Sequence, residues 1–178
     1  TSVSIPDNSV RTIGNEAFMG CKALSSVSIG KGVTKIGKKA FYDCTALSEV
    51  TMGDGTTSIG YEAFTNTGIY NDKSKWTNGV LRINNYIIKA QTSLSGDLTI
   101  DDTIFAIASG AFEGCSSITS LNLGNGVKAI GYKAFYGCSS IKAIEIPESV
   151  TILEDQAFSK CSLIMFKSFM LYTSDRRF

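Results

Sequence analysis

Apolar residues recur along the chain with a period of 23 residues. The clearest mark of this period is an Ala-Phe pair at residues 17/18, 40/41, 63/64, 111/112, 134/135 and 157/158. Successive pairs are 23 residues apart except the third and fourth, which are separated by 48 residues, or two periods plus two residues. Self-similarity at a fixed period of roughly 20 to 50 residues is typical of stacked-repeat architectures. The chain is therefore predicted to be an array of similar units.

Other positions of the unit return together with the Ala-Phe pair. An aliphatic residue stands four residues before each Ala, at Ile13, Ile36, Ile59, Ile107, Ile130 and Leu153. The position three residues after the Phe holds Cys21, Cys44, Thr67, Cys115, Cys138 and Cys161, and it contains every cysteine of the chain. Equivalent apolar positions are expected to form ladders along the axis of the array, because no single unit can bury its own apolar face.

Each unit predicts the same three elements. Leu24-x-x-Val27-x-Ile29 ends in strict alternation, which predicts a short strand with one buried face, and the same pattern starts at Leu47, Ile118 and Ile141. Glycines or a proline then turn the chain, and Val-x-x-Ile-Gly returns it in an extended segment. In Ala-Phe-x-x-Cys, the Ala and the Cys are four residues apart, which predicts a single helical or 3₁₀ turn. These elements together predict an α/β solenoid whose coils stack at about 4.8 Å.

The full motif, Leu-x-x-Val-x-Ile-(Pro/Gly)-x-x-Val-x-x-Ile-Gly-x-x-Ala-Phe-x-x-Cys, resembles the BspA-like leucine-rich repeat, also called the Treponema pallidum type. The resemblance extends over residues 3–164 with one disturbed stretch. It implies a right-handed leucine-rich-repeat superhelix. Members of that family are typically surface-exposed or secreted, so the resemblance also implies adhesion or other recognition of an extracellular or host protein. It carries over no catalytic residues, because all positions of the motif are packing positions.

Two stretches depart from the motif. In the irregular coil at about 65–97, Gly79 to Lys89 reads as two short strands joined by the turn Asn84-Asn85, a pairing that tolerates the positive φ of a type I′ hairpin. The repeat motif is also no longer recognisable after Cys161. The predicted organisation is therefore an array over 1–164 followed by a cap or truncated end over 165–178.

Composition and charge exclude several classes of function. The 178 residues include 17 Lys and Arg against 16 Asp and Glu, and this balance gives no broad attraction to nucleic acid or an anionic membrane. The chain has no histidine, which removes Ser/His/Asp and Cys/His sites, histidine metal ligands and histidine pH switches. We therefore predict no enzyme activity, no catalytic residue, no metal and no cofactor.

No segment of the sequence predicts membrane insertion. The longest apolar stretch, 163–171, is interrupted by Lys167 and Ser168 and is far shorter than the roughly 20 residues that span a bilayer. The sequence does not begin with a basic region and an apolar core, so we predict no secretory signal within it, which is also what a cleaved signal would leave. A secreted or cell-surface location is what the family resemblance implies.

The cysteine column allows more than one interpretation. Thiols that recur along an axis point in parallel rather than converging on one metal ion, and no Cys-x-x-Cys occurs. Neighbouring coils are close enough for disulfides, but parallel Cβ vectors and an odd number of cysteines are unfavourable for them. The pattern favours buried free thiols that pack as small hydrophobes.

A partner-binding surface is predicted at the irregular coil. The outward positions of the regular strands are small and polar, whereas Trp76, Arg82 and Tyr86 lie in or beside the predicted hairpin. Trp, Arg and Tyr are the residues that most often anchor protein interfaces. The predicted function is a non-catalytic recognition or adhesion module. The alternative is a structural spacer within a longer array of repeats.

Overall fold

The computed structural model of the chain describes residues 1–162 and 165–168, and it is a β-solenoid of about seven coils with a period of about 23 residues. Each regular coil contains a longer strand and a short return strand. The longer strands are β1 (Ser2–Ile5), β3 (Ser26–Ile29), β5 (Glu49–Met52), β10 (Ser95–Ile100), β12 (Ser117–Leu123) and β14 (Ala143–Ile146). The return strands are β2 (Thr12–Ile13), β4 (Lys35–Ile36), β6 (Ser58–Ile59), β11 (Ala106–Ile107), β13 (Ala129–Ile130) and β15 (Ile152–Leu153). These pairs of strands define coils 1–3 and 5–7.

Equivalent positions of the repeat stack in register. Val27 pairs with Val3 on one side and with Val50 on the other, all in parallel strands. Ile36 of the return strand lies between Ile13 and Ile59 in the same manner. Parallel in-register stacking places like side chains next to each other, so the repeat columns of the sequence become ladders in the structure. The predicted short strands are confirmed.

The Ala-Phe-x-x-Cys segment is not a helical turn, and that prediction is wrong. In coil 1, Ala17 N–H donates to Gly14 O, and Cys21 N–H donates to Phe18 O, which makes two β-turns with Glu16 and Gly20 as their third residues. Glu16 and Gly20 have φ of 59° and 72°, and a helix does not contain positive φ angles. A positive φ at the third residue of a turn is the type II pattern. The four-residue spacing of Ala and Cys therefore reflects a run of turns.

These turns connect the coils through a third hydrogen-bond ladder. The N–H groups of Glu16, Phe18 and Gly20 donate to the carbonyls of residues 38, 40 and 42 in coil 2, at 2.9, 2.8 and 2.8 Å. The same three bonds join coils 2 and 3, coils 5 and 6, and coils 6 and 7. Each regular coil is thus bonded to the next along both its strands and its turns, which leaves few unpaired backbone groups inside.

The core runs along the axis as a stack of the Ala-Phe columns. Phe41, Phe112 and Phe135 are fully buried, and the rings of Phe112 and Phe135 are parallel with centroids 4.8 Å apart. Phe18, Phe41 and Phe64 form a second stack, with centroids 5.1 and 5.2 Å apart. The stack is divided because coil 4 contains no Ala-Phe pair.

Coil 4 replaces a regular coil with a different arrangement of elements. It contains α1 (Gly68–Asn71), a 3₁₀ turn (Lys73–Lys75) and the strands β7 (Trp76–Thr77), β8 (Val80–Ile83) and β9 (Tyr86–Ala90). β7, β8 and β9 form an antiparallel meander, and β9 then pairs in parallel with β11 of coil 5. Thus β2-β4-β6 and β1-β3-β5 are separate sheets that end at coil 3.

The hairpin at Asn84-Asn85 is present, but its turn differs from the one predicted. Only Asn84 has a positive φ, of 50°, whereas a type I′ turn requires two such residues. A second tight turn, Asn78-Gly79, joins β7 to β8 with φ of 49° and 76°, which is the type I′ pattern. This second turn was not predicted from the sequence.

Helix is a minor component of the described chain, so the structure is a β-solenoid rather than the predicted α/β solenoid. The only α-helix among the described residues is the four-residue α1. After coil 7, β16 (Met165–Ser168) pairs in parallel with β14 and continues that sheet by one strand. The remaining part of the predicted cap or truncated end, residues 169–178, lies outside the described residues.

Candidate functional site

An open concavity lies where coils 2 and 3 face coils 5–7. We call this open space of about 810 Å³ the corner groove. One wall carries Lys35, Lys38, Ser58 and Tyr61, and the other carries Ser109, Glu113, Tyr132, Lys133, Glu154 and Asp155. The groove forms because coil 4 changes the path of the chain. Ser109 N–H donates to Ile59 O at 2.9 Å, which joins coil 5 directly to coil 3 on this side.

The groove is built from a variable position of the repeat. Lys38, Tyr61, Ser109, Tyr132 and Asp155 each lie two residues after the return-strand Ile or Leu. This position is at the corner that follows the return strand, where the side chain is not needed for core packing. Variable corner positions on a rigid array are the places where a repeat protein can carry a binding surface.

Hydrogen bonds across the groove fix its two walls. Tyr61 donates its phenolic hydrogen to Glu113 Oε2 at 2.5 Å, and this bond, as the main cause, raises the pKa of Tyr61 to about 12. Ser58 Oγ donates to Glu154 Oε1 at 2.9 Å across 96 residues of sequence. The walls are thereby held at a defined separation.

Glu154 occupies a position that is glycine in four of the other coils, at Gly14, Gly37, Gly60 and Gly131. Its second oxygen accepts the N–H of Tyr132 at 2.8 Å. Both oxygens of the Glu154 carboxylate are therefore engaged, as is Glu113 Oε2. Glu113 and Glu154 thus hold the walls of the groove together through hydrogen bonds.

The lysines of the groove are differently placed. Among the described residues, Lys35, Lys38 and Lys133 form no ion pair. The ammonium of Lys133 lies 5.3 Å from the ring centroid of Tyr132 and 4.7 Å from that of Tyr136, within the range of cation–π attraction. The groove therefore presents cations and tyrosine rings to a ligand, while Glu113 and Glu154, but not Asp155, are already hydrogen-bonded to described residues through their carboxylates.

A smaller cavity continues the groove toward the interior. We call this cavity of about 110 Å³ the junction pocket, and it shares Gly60, Tyr61 and Ser109 with the corner groove. Lys89 lines the pocket, and its ammonium donates to Gly110 O at 2.6 Å. Burial lowers the pKa of Lys89, because a low-polarity environment disfavours the charged amine.

The structure places the three predicted partner-binding residues differently. Tyr86 is fully buried, and its hydroxyl donates to Gly53 O at 2.7 Å, so it is a core residue and offers no anchor to a partner. Trp76 is half-buried against Tyr70, with its Nε1–H donating to Tyr70 O at 2.9 Å.

Arg82 lies on the surface of coil 4 and is paired. Its guanidinium bonds Asp101 at 2.8 Å. The side-chain hydrogen bond from Thr103, followed by the one from Arg82, lowers the pKa of Asp101 to about 2. Trp76 and Arg82 thus remain partly accessible, whereas Tyr86 does not.

The cysteines are free thiols, and most of them form the expected ladder. Cys44, Cys115 and Cys138 are buried, and Cys138 Sγ donates to Phe112 O of the preceding coil at 3.2 Å. Burial raises the pKa of Cys138 to about 12. Cys21 is exposed and Cys161 is only partly buried, so the prediction of buried thiols is wrong for Cys21 and met only in part for Cys161.

Two further features bear on function. No group of three or more His, Cys, Asp or Glu side chains within 1–162 is arranged to hold a metal ion. Across the described chain, no helix has the length and apolar character to cross a membrane.

Sequence reasoning missed both the corner groove and the junction pocket. Their residues belong to coils that are far apart in the sequence, and only the path of coil 4 brings them together. The one available signal was Glu154, because it replaces the repeat glycine by a long charged side chain.

Comparison with known proteins agrees with the repeat pattern. A family model described as "BspA type Leucine rich repeat region" matches the chain over residues 1–96 and 81–173, with six copies. No curated protein matches the chain.

Several solved structures are similar. A Treponema pallidum leucine-rich repeat protein is 26% identical, with 93% of this chain and 68% of that chain covered and a TM-score of 0.44. A leucine-rich repeat protein from Eubacterium ventriosum is 23% identical, with 98% and 46% covered and a TM-score of 0.42. A leucine-rich cell surface protein from Faecalibacterium prausnitzii is 20% identical, with 97% and 80% covered and a TM-score of 0.42. The chain therefore spans about two thirds of the first of these proteins and less than half of the second.

Proposed function

The chain belongs to the BspA-type leucine-rich repeat family, and from this we propose that it is a non-catalytic recognition module for an extracellular or host protein. The proposal includes a secreted or cell-surface location and a role in adhesion. It also includes the right-handed winding that the leucine-rich-repeat resemblance implies. A stacked array is suited to recognition, because its rigid core holds variable side chains at fixed spacings.

The observation that carries the proposal is the corner groove. Its walls consist of variable repeat positions, and hydrogen bonds such as Tyr61 to Glu113 hold them in place before any partner binds. Preorganised side chains lose little entropy on binding, which favours affinity. Tyr132 and Lys133 combine ring surface with charge, the combination that is common in binding surfaces.

A second surface of the same module lies on coil 4. Trp76 packs edge-on against Tyr70 with ring centroids 5.4 Å apart, and the ammonium of Lys73 lies 4.7 Å from the Trp76 ring. Arg82 stands on the neighbouring strand β8. We propose that Trp76 and Arg82 extend the contact with the partner, with Tyr86 holding coil 4 in position from inside.

The proposal is tested by screening the purified chain against an array of secreted and ectodomain proteins. The affinity of any saturable binder is then measured for two double variants, Lys38→Glu/Lys133→Glu in the groove and Trp76→Ala/Arg82→Ala on coil 4. We expect the groove variant to lose at least tenfold in affinity and the coil 4 variant to lose less. Lys142→Glu, an exposed lysine outside both surfaces, is the matched control.

Three outcomes would contradict the proposal. A chain that binds no array member saturably is better explained as a structural spacer of a longer array. Binding that survives both double variants would place the recognition surface elsewhere. Equal losses in Lys142→Glu would show that only the overall charge of the chain matters.

A further inference from the structure

The junction pocket is rich in hydrogen-bond donors. In the regular coils, the N–H groups before the Ala and at the Phe donate to carbonyls of the next coil. Coil 3 is followed by the irregular coil, and no carbonyl of the described residues accepts from the N–H of Glu62 or Phe64. Both residues line the junction pocket. The interruption of the turn ladder therefore leaves backbone donors beside a cavity.

Two side chains add further donors to the same cavity. The Lys89 ammonium has three N–H groups and uses one of them on Gly110 O. Ser109 also lines the pocket, and its hydroxyl forms no hydrogen bond with any described residue. A cavity lined by donors that have no acceptor favours a group that accepts several hydrogen bonds.

Lys89 and Glu62 are the charged side chains that line the pocket. No described carboxylate lies within ion-pair distance of the Lys89 ammonium. Glu62 and Glu113 lie close enough to oppose the effect of burial on the pKa of Lys89, but Glu62 pairs with Lys39 at 3.5 Å and Glu113 accepts from Tyr61. The Lys89 ammonium is partly buried and in contact with no described carboxylate, so a bound carboxylate would offset its loss of hydration.

From these observations we propose that the junction pocket binds one carboxylate group of an acidic peptide segment that lies in the corner groove. A single carboxylate matches the single charge of Lys89, whereas a phosphate dianion would leave excess negative charge close to Glu62 and Glu113. The groove outside the pocket offers Lys35, Lys38 and Lys133 to neighbouring acidic residues of the same segment. The continuity of pocket and groove through Tyr61 and Ser109 permits one ligand to occupy both. This inference rests on the proposed recognition function and names its ligand.

The test uses two capped peptides, acetyl-pentaglutamate amide and acetyl-pentaglutamine amide. Binding to the intact chain is followed by calorimetry and by the NMR shifts of the Glu62 and Phe64 amides. We expect the acidic peptide to bind at least tenfold more tightly and to shift both amides, since those N–H groups gain an acceptor.

Variants locate the interaction. Lys89→Met keeps the length of the side chain and removes its charge, so it should weaken the acidic peptide at least tenfold and abolish the amide shifts. Ser109→Ala removes one donor from a pocket wall and should weaken binding about threefold, and it preserves the test if Lys89→Met does not fold. Lys142→Met is the exposed control and should bind like the unmodified chain.

Several results would overturn the inference. Acidic peptide that binds without shifting the Glu62 or Phe64 amide lies in the groove alone. The acidic peptide is also compared with inorganic phosphate and with the carboxylate polysaccharide polygalacturonate. Tighter binding of either one would indicate a different class of ligand. An array partner that uses the groove could bind the Lys89→Met variant as tightly as it binds the unmodified chain. In that case the recognition function stands and the carboxylate site fails.

Discussion

At the scale of single residues, the glycine column is explained by the close approach of neighbouring coils. A Cβ at Gly37 would lie 2.5 Å from the backbone nitrogen of Asn15 and 2.5 Å from the carbonyl carbon of Gly14. At Gly60 a Cβ would lie 2.4 Å from Lys38 N. Coil 5, which follows the irregular coil, carries Ala108 at the equivalent position. At Gly37 and Gly60, glycine therefore permits the close approach of the preceding coil.

This explanation predicts different outcomes for the same substitution at two equivalent positions. Gly37→Ala should destabilise the chain by ~1–3 kcal/mol, because the new methyl group overlaps backbone atoms that cannot move independently. Gly14→Ala has open space within 4 Å and should change the stability little, or raise it slightly through the unfolded state. Urea denaturation of both variants measures the difference. Equal losses would show that the glycines are selected for backbone flexibility rather than for coil spacing.

The cysteine column shows what residue identity could and could not predict. The repeat pattern indicated buried free thiols, and Cys44, Cys115 and Cys138 are buried. The exposure of Cys21 depends on what stacks against its coil. The position of a residue within the repeat does not specify this. Thr67, the one replacement in the column, is fully buried and accepts the N–H of Tyr70 as the N-cap of α1. It begins the irregular coil.

At the scale of elements, regular strands were predictable and turns were not. The alternation from Leu24 to Ile29 has only one physical interpretation once the repeat is seen, since a strand buries every second side chain. A four-residue spacing in a short segment fits both a helical turn and a run of β-turns, and periodicity alone cannot separate them. The positive φ angles that exclude a helical turn occur at Glu16, Lys39 and Lys133. Glu and Lys are not residue types that indicate a positive φ in a sequence.

The stacked rings provide a prediction at the element scale. Phe135 is fully buried between Phe112 and Phe158, with ring centroids 4.8 and 5.1 Å away. Phe135→Ala should therefore cost ~3–5 kcal/mol of unfolding free energy. Phe18 is half-buried and stacks on Phe41 at one face, so Phe18→Ala should cost about half as much. Denaturant midpoints of the two variants provide the measurement, and equal losses would contradict the ladder as the source of stability.

At the scale of the whole molecule, coil 4 determines both the division of the core and the position of the candidate site. The sheets of coils 1–3 end at β5 and β6, and those of coils 5–7 begin with new partners. A sequence repeat predicts how neighbours of the same kind stack, but it says nothing of the angle that an irregular unit imposes. For this reason the groove between Lys38 and Tyr132 had no signature in the sequence beyond Glu154 at the repeat glycine position, although every coil that forms it was recognisable.

Few hydrogen bonds couple the two halves of the array through coil 4, and Tyr86 supplies two of them. Its hydroxyl donates to Gly53 O at 2.7 Å and accepts the N–H of the buried Thr56 at 3.3 Å. Asn84 Oδ1 accepts the N–H of Met52 beside it, at 2.9 Å. In a solenoid, stability is a sum of coil and neighbour terms, so weakening one junction reduces cooperativity more than it weakens either half.

Tyr86→Phe should consequently lower the stability by ~1–3 kcal/mol, because Thr56 N–H and Gly53 O lose a partner at a buried position. The loss falls on the junction, so urea unfolding should broaden and the amides of coils 1–3 and coils 5–7 should exchange hydrogen at different rates. Tyr70→Phe is the control within coil 4, since the Tyr70 hydroxyl forms no hydrogen bond with any described residue. A single sharp transition with an unchanged denaturant slope would mean that the corner contacts, such as Ser58 to Glu154, suffice to couple the two halves.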